Sequence, residues 1–570
     1  MALLAPIFRL VLVLANAALF LAVPLAGTAS AQVAAGSRDP RHLAFFPPVQ
    51  TSGQVRIGLH PAPEAVGRPV VVSFGMPFPP GFVSDPARIS LVDNIGKELP
   101  IRVAVLGRWP QGMPGAGSLR AVLIQFEDYL GADLERHYLV RWGEHRRLSE
   151  RRTWPARQGW LPVRDGSYPE GAVSEPPVYV TLPPEWLGQC LLKGRVNPGG
   201  TNPGFAWYDQ AMNAYFSTAI NQFPHPVEDK HLISYQRGNE PWLYDRAMAL
   251  FVVYIRQGGL EPLRQAHRAA QYYASLVGPD GRFGLLDERR GPDMKYGYQE
   301  CLATDYWLTG DESLKEASRR VAALLGGSWK PAYNPERGFW NERGLAFALL
   351  NATVAYELLD EPVWLDQARA QFQAAHSLQF NPPPGAPAGT GCLVHRGKQH
   401  GEKGENLEGW YCSPWMGALL ADAMLRYYLV SGDSRTPESI LGLGRFVARM
   451  GLYSVETPQS KRPYLVPSYI ASAEDPARSL NERTTDQQHA LDVARSLALA
   501  LYFCPPGDPV RPELEKALDE LLDTARYDFE RNHNKLGAKF AKPSHPLNPP
   551  RRFSWWFRTT ADLDWLLQPR

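Results

Sequence analysis

The stretch YQECLATDYWLTGDESLKEASRRVAALL, residues 298–325, decides the fold class of this 570-residue chain. Apolar residues recur with a period of about 3.6 on both sides of the link Thr309-Gly310-Asp311, which predicts helices over Tyr298–Leu308 and Glu312–Leu325. Gly310 supplies a left-handed stop for the first helix, and Asp311 can cap the second helix. The stretch therefore predicts a helical hairpin.

The same design recurs along the chain after about Gly204. Four more pairs of helical stretches are joined by short links that contain Gly, Asp, Ser or Pro. These pairs are Tyr244–Gln257 with Leu260–Val277, Glu342–Leu359 with Val363–Leu378, Trp415–Val430 with Thr436–Met450, and His489–Phe503 with Pro512–Arg531.

Two flanking helices complete the pattern. Phe205–Gln222 and Ala561–Leu567 can close a ring with the five hairpins, which brings the total to about twelve helices. The count predicts a mainly α chain in which residues 204–570 form an (α/α)6 toroid of helical hairpins. An open solenoid is the structural alternative.

Residues 32–150 follow a different pattern. Short β-branched segments that mostly alternate apolar with polar residues are separated by turn signals, which predicts a small all-β domain, either a barrel or a sandwich. The segments are Gln54–Leu59, Pro69–Phe74, Ile101–Val105, Leu119–Phe126 and Tyr138–Trp142. Residues 151–203 are rich in Pro and charge and are expected to form a connector with one further candidate strand, Val178–Thr181.

Residues 1–31 have the pattern of a cleavable secretory signal. A single charge, Arg9, precedes the apolar run Leu10–Leu25, and the small residues of Ala29-Ser30-Ala31 predict cleavage before Gln32. An uncleaved anchor is the alternative, with a run near the lower length limit for a membrane span. We therefore expect a periplasmic or secreted protein with no stable membrane insertion after cleavage.

Composition excludes several classes of partner and site. The formal net charge of +2 lacks the basic excess that a nucleic-acid partner requires. The five Cys are too few for a disulfide scaffold, although the compartment permits one bridge such as Cys392–Cys412. No cofactor and no metal site are expected, since calcium would need an Asp-rich ligand loop.

Four segments carry a resemblance to a known family. They are GMPFPPG (75–81), LVDNIGKELP (91–100), GNEPWLYD (238–245) and GWYCSPWM (409–416). Together with the export signal, the β-domain and the toroid, they resemble the YetA-like group that includes exo-rhamnogalacturonan lyases. The resemblance implies a carbohydrate-active enzyme with a polysaccharide or oligosaccharide as its partner.

The first two candidate site clusters precede inner helices. The loop before Tyr244 concentrates His, Tyr, Arg and carboxylate side chains, and a second loop precedes Tyr298; ordinary helix capping is the alternative interpretation. Candidate catalytic residues in the first loop are His231 and Tyr235, and candidate substrate-binding residues of the two clusters are Arg237, Glu240, Trp242, Asp245, Lys295 and Tyr298.

The third and fourth clusters follow residue 394. The third lies in a Gly-punctuated loop that does not match a helical His-Glu-x-x-His zinc site, and a solvated charged loop is its alternative interpretation. Its candidate catalytic residues are His395, His400, Glu408 and Tyr411, and its candidate binding residues are Arg396, Trp410 and Trp415. The fourth cluster pairs Asp486 with His489 at a spacing of three, which would orient the imidazole; capping by Asp486 is the alternative.

These residues suit two kinds of glycosidic cleavage. A hydrolase needs two carboxyl groups, which Glu240, Asp245, Glu408 and Asp486 could supply. A lyase acting on a uronate needs a cation for the substrate carboxylate and His or Tyr for proton transfer. The second set is denser, so we favour a uronate-directed lyase; a glycoside hydrolase and a non-catalytic secreted glycan-binding or envelope protein are the alternatives.

Overall fold

The computed structural model describes residues 39–131, 137–222, 242–284, 294–336, 338, 340–400, 404, 406–456, 463–483, 487–539 and 551–568. The chain from Arg38 onward forms one compact unit. The candidate signal, residues 1–31, lies outside the described residues, so its cleavage stays a prediction. No helix of the described part is long and apolar enough to cross a membrane.

Twelve long helices dominate the described chain, and they are numbered here in chain order. They are α1 (Ala206–Gln222), α2 (Arg246–Gln257), α3 (Leu260–Ser275), α4 (Gln299–Thr309), α5 (Glu312–Ser328), α6 (Glu342–Leu359), α7 (Pro362–Phe380), α8 (Pro414–Ser431), α9 (Thr436–Met450), α10 (Ala490–Phe503), α11 (Arg511–Lys539) and α12 (Arg552–Thr559).

The even-numbered helices form a closed inner ring. Each packs against the next, from α2 through α4, α6, α8 and α10 to α12, and α12 packs back against α2. These six helices are buried on nearly every side, whereas α3, α5, α7, α9 and α11 expose one face to solvent. The arrangement is an (α/α)6 toroid, and the closing contact between α12 and α2 excludes the open solenoid.

The hairpin links behave as the sequence predicts. Gly310 and Gly432 end α4 and α8 in the left-handed conformation, with φ of 70° and 64°. Asp311 caps α5, since its carboxylate accepts a hydrogen bond from the N–H of Ser313. Asp360 takes the left-handed position between α6 and α7, which Asp tolerates better than most residues.

The helix that closes the ring differs from the predicted one. We predicted Ala561–Leu567, but α12 closes the ring and only a single turn, Leu563–Leu566, forms within the predicted range. The sequence RFSWWFRT of α12 contains arginines whose charge suggests a surface position. The structure instead buries Arg552 and Arg558 beside the acidic partners Asp528 and Glu300, so the helix can lie inside the ring.

Three antiparallel sheets of the described chain precede the toroid, and the smallest pairs only Leu161–Pro162 with Ser174–Glu175. The five-stranded sheet has the order Val178–Thr181, Gly53–Pro61, His137–Trp142, Ile89–Val92 and Glu98–Leu99. The three-stranded sheet has the order Pro69–Pro77, Leu119–Tyr129 and Arg102–Arg108. These two sheets share no strand, so the described strands do not form one closed barrel, and their buried residues join the same hydrophobic core as the helices.

The three-stranded sheet lies directly on α4. A Cβ atom at Gly75 would collide with the carbonyl oxygen of Trp307, so only glycine allows this approach of strand to helix. Arg120 extends from the same sheet between the rings of Trp109 and Trp307, 4.2 and 3.7 Å from their centroids. The β-region and the base of the ring are therefore packed together.

A buried ion network fills the interior of the ring. Lys193 Nζ lies 2.6 Å from Glu300 Oε1 and 3.0 Å from Asp422 Oδ2. Arg558 Nη2 lies 2.7 Å from Glu300 Oε2. Burial alone would raise the pKa of Glu300, but the charges of Lys193, Arg558 and Arg426 lower it to about 2. The carboxylate is therefore ionised inside the ring.

The network also joins the β-region to the inner helices. Glu357 on α6 binds Arg426 on α8 at 2.6 Å and Arg120 from the sheet at 2.7 Å. Arg495 on α10 binds Asp562 at 2.7 Å. Each of these charged groups can be buried only beside an oppositely charged partner, because an unpaired ion in a protein interior costs several kcal/mol.

Removing one cation from this network should destabilise the whole protein. We expect Arg558→Met to lower the free energy of unfolding by about 3–5 kcal/mol, because Glu300 and Asp422 lose a buried partner. Arg319→Met is the matched control, since its pairs with Glu316 and Glu361 are exposed and such pairs contribute about 0–1 kcal/mol. Denaturant titrations followed by circular dichroism measure both. Equal effects of the two variants would contradict the importance of the network.

Candidate functional site

The N-termini of the inner helices meet at one mouth of the toroid. Each outer helix returns the chain to the same end of the ring, so every inner helix starts there. Direct contacts confirm this: Tyr244, just before α2, lies 5.9 Å from Phe347 on α6 and 5.5 Å from Trp555 on α12. Trp415, at the start of α8, lies 4.7 Å from His489, just before α10.

Eight rings line this mouth in a continuous series, called here the aromatic arc. Each ring centroid lies between 4.3 and 5.9 Å from the next. In order, the rings are His395, His400, Tyr469, Trp415, His489, Trp555, Tyr244 and Phe347. Residues from distant parts of the sequence thus build one wall of aromatic and imidazole groups.

His489 is the most closely held group of the arc. Its ring packs against Trp415 at 4.7 Å and Trp555 at 4.3 Å, and the two indoles contact each other at 6.2 Å. Its Nδ1 lies 2.9 Å from Asp492 Oδ2, while its Nε2 has no hydrogen-bond partner among the described residues. Burial raises the pKa of Asp492, and the neighbouring His489 opposes that rise.

His395 is paired with a buried carboxyl group. Its Nδ1 lies 3.4 Å from Glu342 Oε2 and 3.3 Å from the carbonyl oxygen of Leu393. The other oxygen of Glu342 accepts a hydrogen bond from the N–H of Ser413. Burial lowers the pKa of His395 to about 4 and raises the pKa of Glu342 to about 8. Both groups are therefore neutral near pH 7.

A disulfide bond confirms the one bridge that the sequence permitted. It joins Cys392 to Cys412 and so closes the loop that carries His395 and His400. The other three cysteines, Cys190, Cys301 and Cys504, are free and buried. The bridge restricts the conformations of a loop that supplies two imidazoles to the arc.

Two guanidinium groups lie over indoles of the arc. The guanidinium of Arg551 lies 4.4 Å from the ring centroid of Trp555, and that of Arg343 lies 5.9 Å from Trp415. Each inner helix also directs the positive end of its dipole toward this mouth. Guanidinium groups and positive dipole ends favour anions, so the mouth suits a ligand with a carboxylate or another negative group.

Several predicted site residues lie outside the arc. Tyr298 donates a hydrogen bond to the carbonyl oxygen of Trp242, which ties the start of α4 to the start of α2. Asp245 caps α2 through the N–H of Met248, and its second oxygen accepts from the N–H of Cys301. Lys295 lies over the ring of Tyr296. These contacts position the inner helices.

A second group of predicted residues flanks the His395 loop. His395 and Arg396 pair in antiparallel register with Tyr411 and Trp410. Arg396 lies 3.9 Å from the ring centroid of Trp410, and the hydroxyl of Tyr411 donates to the carbonyl oxygen of Glu408. The structure thus brings Arg396, Glu408, Trp410 and Tyr411 together beside the mouth, while the Glu408 side chain is exposed.

The remaining predicted residues are His231, Tyr235, Arg237, Glu240 and Asp486, and they lie outside the described residues. The predicted pairing of Asp486 with His489 therefore stays a prediction. The described carboxylate that contacts His489 is Asp492, three residues after it rather than before it.

Sequence reasoning missed half of the arc and its charged neighbours. The missed residues are Tyr244, Phe347, Tyr469 and Trp555 in the arc, and Glu342, Arg343, Asp492 and Arg551 around it. Most begin or precede an inner helix. That position was a usable signal, because the toroid prediction already placed those helix starts at one mouth.

Among the described residues, no group of three or more His, Cys, Asp or Glu side chains is arranged to hold a metal ion. The arc and its neighbours bring imidazole, phenol, guanidinium and carboxyl groups together, most of them buried. Burial raises the pKa of the Tyr469 phenol to about 12, which keeps its proton in place at neutral pH.

Solved structures provide a comparison for most of the chain. An unsaturated glucuronyl hydrolase specific for heparin aligns over 63% of this chain and 97% of its own, with 12% identity and a TM-score of 0.41. A polysaccharide lyase aligns over 64% and 100%, with 12% identity and a TM-score of 0.40.

A third structure is the unsaturated glucuronyl hydrolase of Bacillus sp. GL1, responsible for the degradation of glycosaminoglycan. It aligns over 63% of this chain and 94% of its own, with 14% identity and a TM-score of 0.38. No protein-family model matches the sequence, and no curated protein matches it either.

The buried Glu342 should make stability depend on pH. Because burial raises its pKa from 4.5 to about 8, the folded protein holds this proton more tightly than the unfolded chain does. The stabilisation is complete below the unfolded pKa and is lost as pH rises through the folded pKa. Each tenfold difference in proton affinity between the folded and unfolded states corresponds to about 1.4 kcal/mol.

We therefore expect Glu342→Gln to lose less stability than the wild type between about pH 5 and pH 8, because an amide keeps the Ser413 hydrogen bond and does not ionise. Thermal unfolding midpoints over this pH range measure the effect. Glu336→Gln is the control, since Glu336 is exposed. A wild-type and a Glu342→Gln curve of the same slope would show that this carboxyl is not buried as described.

Proposed function

We propose that the protein is an exported carbohydrate-active enzyme that cleaves a uronate-containing polysaccharide by β-elimination at the mouth of the toroid. The observation that carries this proposal is the aromatic arc, which gathers three imidazoles and two phenols beside two guanidinium groups. These are the groups that a lyase needs for proton transfer and for binding a carboxylate.

The reaction assigns a task to each kind of group. The substrate carboxylate lies at the positive mouth, near Arg343 or Arg551 and the helix N-termini. His489 Nε2 accepts the proton from the carbon next to that carboxylate. The electron pair of the broken C–H bond forms a carbon–carbon double bond, the bond to the glycosidic oxygen breaks, and Tyr469 or His400 protonates that oxygen.

The indoles of the arc suit the other part of a sugar. Trp415 and Trp555 present flat apolar rings next to His489, and such faces pack against the C–H faces of pyranose rings. Stacking there would hold the sugar while the imidazole contacts its acidic C–H. The same groups would give a non-catalytic glycan-binding protein its affinity, so activity has to be measured.

The described carboxyl groups favour the lyase over the hydrolase. A glycoside hydrolase places two carboxyl groups about 5–9.5 Å apart across the bond it cleaves. Both oxygens of Asp245 accept backbone hydrogen bonds, and one oxygen of Glu342 accepts a hydrogen bond from Ser413 while the other lies 3.4 Å from His395. Glu408 is exposed beside the mouth. Hydrolysis remains the alternative reaction, and the products formed from a polysaccharide distinguish it from elimination.

Export is part of the proposal. Disulfides persist in oxidising compartments such as the periplasm, and the Cys392–Cys412 bridge supports such a location. Membership of the YetA-like group stays a prediction from the four sequence segments. N-terminal sequencing of the protein recovered from an exporting host should identify Gln32 as the first residue, and retention of residues 1–31 would contradict cleavage.

The products distinguish the candidate functions. We expect ultraviolet absorbance of an unsaturated uronate to rise when the protein is incubated with uronate-containing polysaccharides, and no change with neutral ones. New reducing ends without an absorbance gain would show that the protein is a hydrolase and not a lyase. Binding without either product, across a panel of uronate-containing substrates, would leave the glycan-binding alternative.

A pair of histidine variants tests the site. His489→Ala should reduce the rate by about 10²-fold or more, because general base catalysis contributes about that much. His145→Ala is the matched control, since His145 is exposed in the β-region. Circular dichroism and thermal unfolding establish that both variants are folded. If His489→Ala is as active as the control, the reaction does not take place at the arc.

A further inference from the structure

Asp492 is a buried carboxyl group in the first turn of α10, and the steps of the proposed reaction do not use it. The helix does not use it as its cap either: His489 occupies the N-cap position, and its carbonyl oxygen accepts from the N–H of Val493. The side chain of Asp492 instead contacts the imidazole of His489 at 2.9 Å. Its contact is therefore with a group of the arc.

The contact determines which ring nitrogen carries the hydrogen. An ionised carboxylate only accepts hydrogen bonds, so Nδ1 of His489 must donate to it and Nε2 keeps its lone pair. If Asp492 were protonated and donated to Nδ1, the ring hydrogen would lie on Nε2. Only the first arrangement leaves Nε2 able to accept a proton from a substrate.

The orientation of the ring also needs an explanation. The Nε2 atom is buried without a hydrogen-bond partner among the described residues. A buried polar atom in that state costs about 1–3 kcal/mol. The two indoles restrict the plane of the ring, but they contribute no hydrogen bond that would choose between its two edges. The hydrogen bond to Asp492 supplies that choice.

The charged and titratable groups around this ring, among the described residues, come from several elements. Asp492 lies in the first turn of α10. Arg343 of α6 lies over the ring of Trp415 of α8, and Arg551 lies over the ring of Trp555 of α12. Tyr469 contacts Trp415 from the neighbouring loop. Asp492 is the acidic member of this set that touches the imidazole.

We propose that Asp492 is a positioning residue for His489: it holds the Nδ1–H tautomer and the orientation of the ring, so that Nε2 takes the proton from the substrate. This inference rests on the proposed function. In the step itself the substrate C–H bond breaks, its proton forms an N–H bond at Nε2, and the resulting imidazolium is stabilised by the Asp492 carboxylate. No other reactant is required.

Nitrogen NMR of the imidazole tests the positioning without substrate. In protein labelled with ¹⁵N at histidine, the His489 signal, assigned by its loss in His489→Ala, should show the Nδ1–H tautomer in the wild type. The amide of Asp492→Asn can either donate a hydrogen bond to Nδ1 or accept one from it, so the preference for the Nδ1–H tautomer should be lost. Asp492→Glu should retain part of it, and Asp366→Asn, on the exposed face of α7, should leave it unchanged.

Kinetics provide the second measurement. Asp492→Asn should lower kcat by about 10²-fold with little change in KM, because the positioned base acts in proton transfer rather than in binding. Partial recovery in Asp492→Glu supports the inference and covers the case in which the Asn variant does not fold. An Nε2–H tautomer in the wild type, or an unchanged tautomer and kcat in Asp492→Asn, would overturn it.

The two proposals fail separately. If the wild type forms no unsaturated product from any uronate-containing substrate, the proposed function is wrong, while the NMR measurement still reports the tautomer. If the wild type is active and Asp492→Asn is equally active with the same tautomer, the lyase stands and the positioning role of Asp492 is wrong.

Discussion

The buried ion network inside the toroid is the constraint on which the rest of the structure depends. Glu300, Asp422 and Glu357 lie on three inner helices and can be buried only with cations beside them. Two of those cations come from outside the ring, Lys193 from the connector and Arg120 from the sheet. The β-region is thereby held against the base of the toroid, and the opposite mouth is where the functional groups collect.

The direction of the inner helices explains the character of that mouth. In a ring of hairpins every inner helix runs the same way, so the N-terminal, positive dipole ends of the six inner helices face one space. The residues just before these helices, such as Tyr244 and His489, are brought together although they are far apart in the chain. One topological rule therefore produces both the positive field and the aromatic arc.

Burial divides the titratable groups of the arc into two kinds. His395 and Glu342 are neutral near pH 7, because burial disfavours the charged form of each. His489 instead has an acidic partner at hydrogen-bonding distance and a ring nitrogen with no partner among the described residues. Two histidines that look alike in sequence thus have different surroundings, and His489 has the arrangement expected of a proton acceptor.

The sequence by itself determined the features that depend on neighbouring residues. The bounds of Glu342–Leu359 and Thr436–Met450 agree with the structure to the residue, as does the left-handed stop at Gly310, because helix periodicity and link chemistry are local. Only the tertiary structure decided which helix closes the ring, which carboxyl contacts His489, and that Tyr469 and Trp555 join the arc. These depend on burial and on contacts between residues distant in the chain, and neither leaves a periodic signal in the sequence.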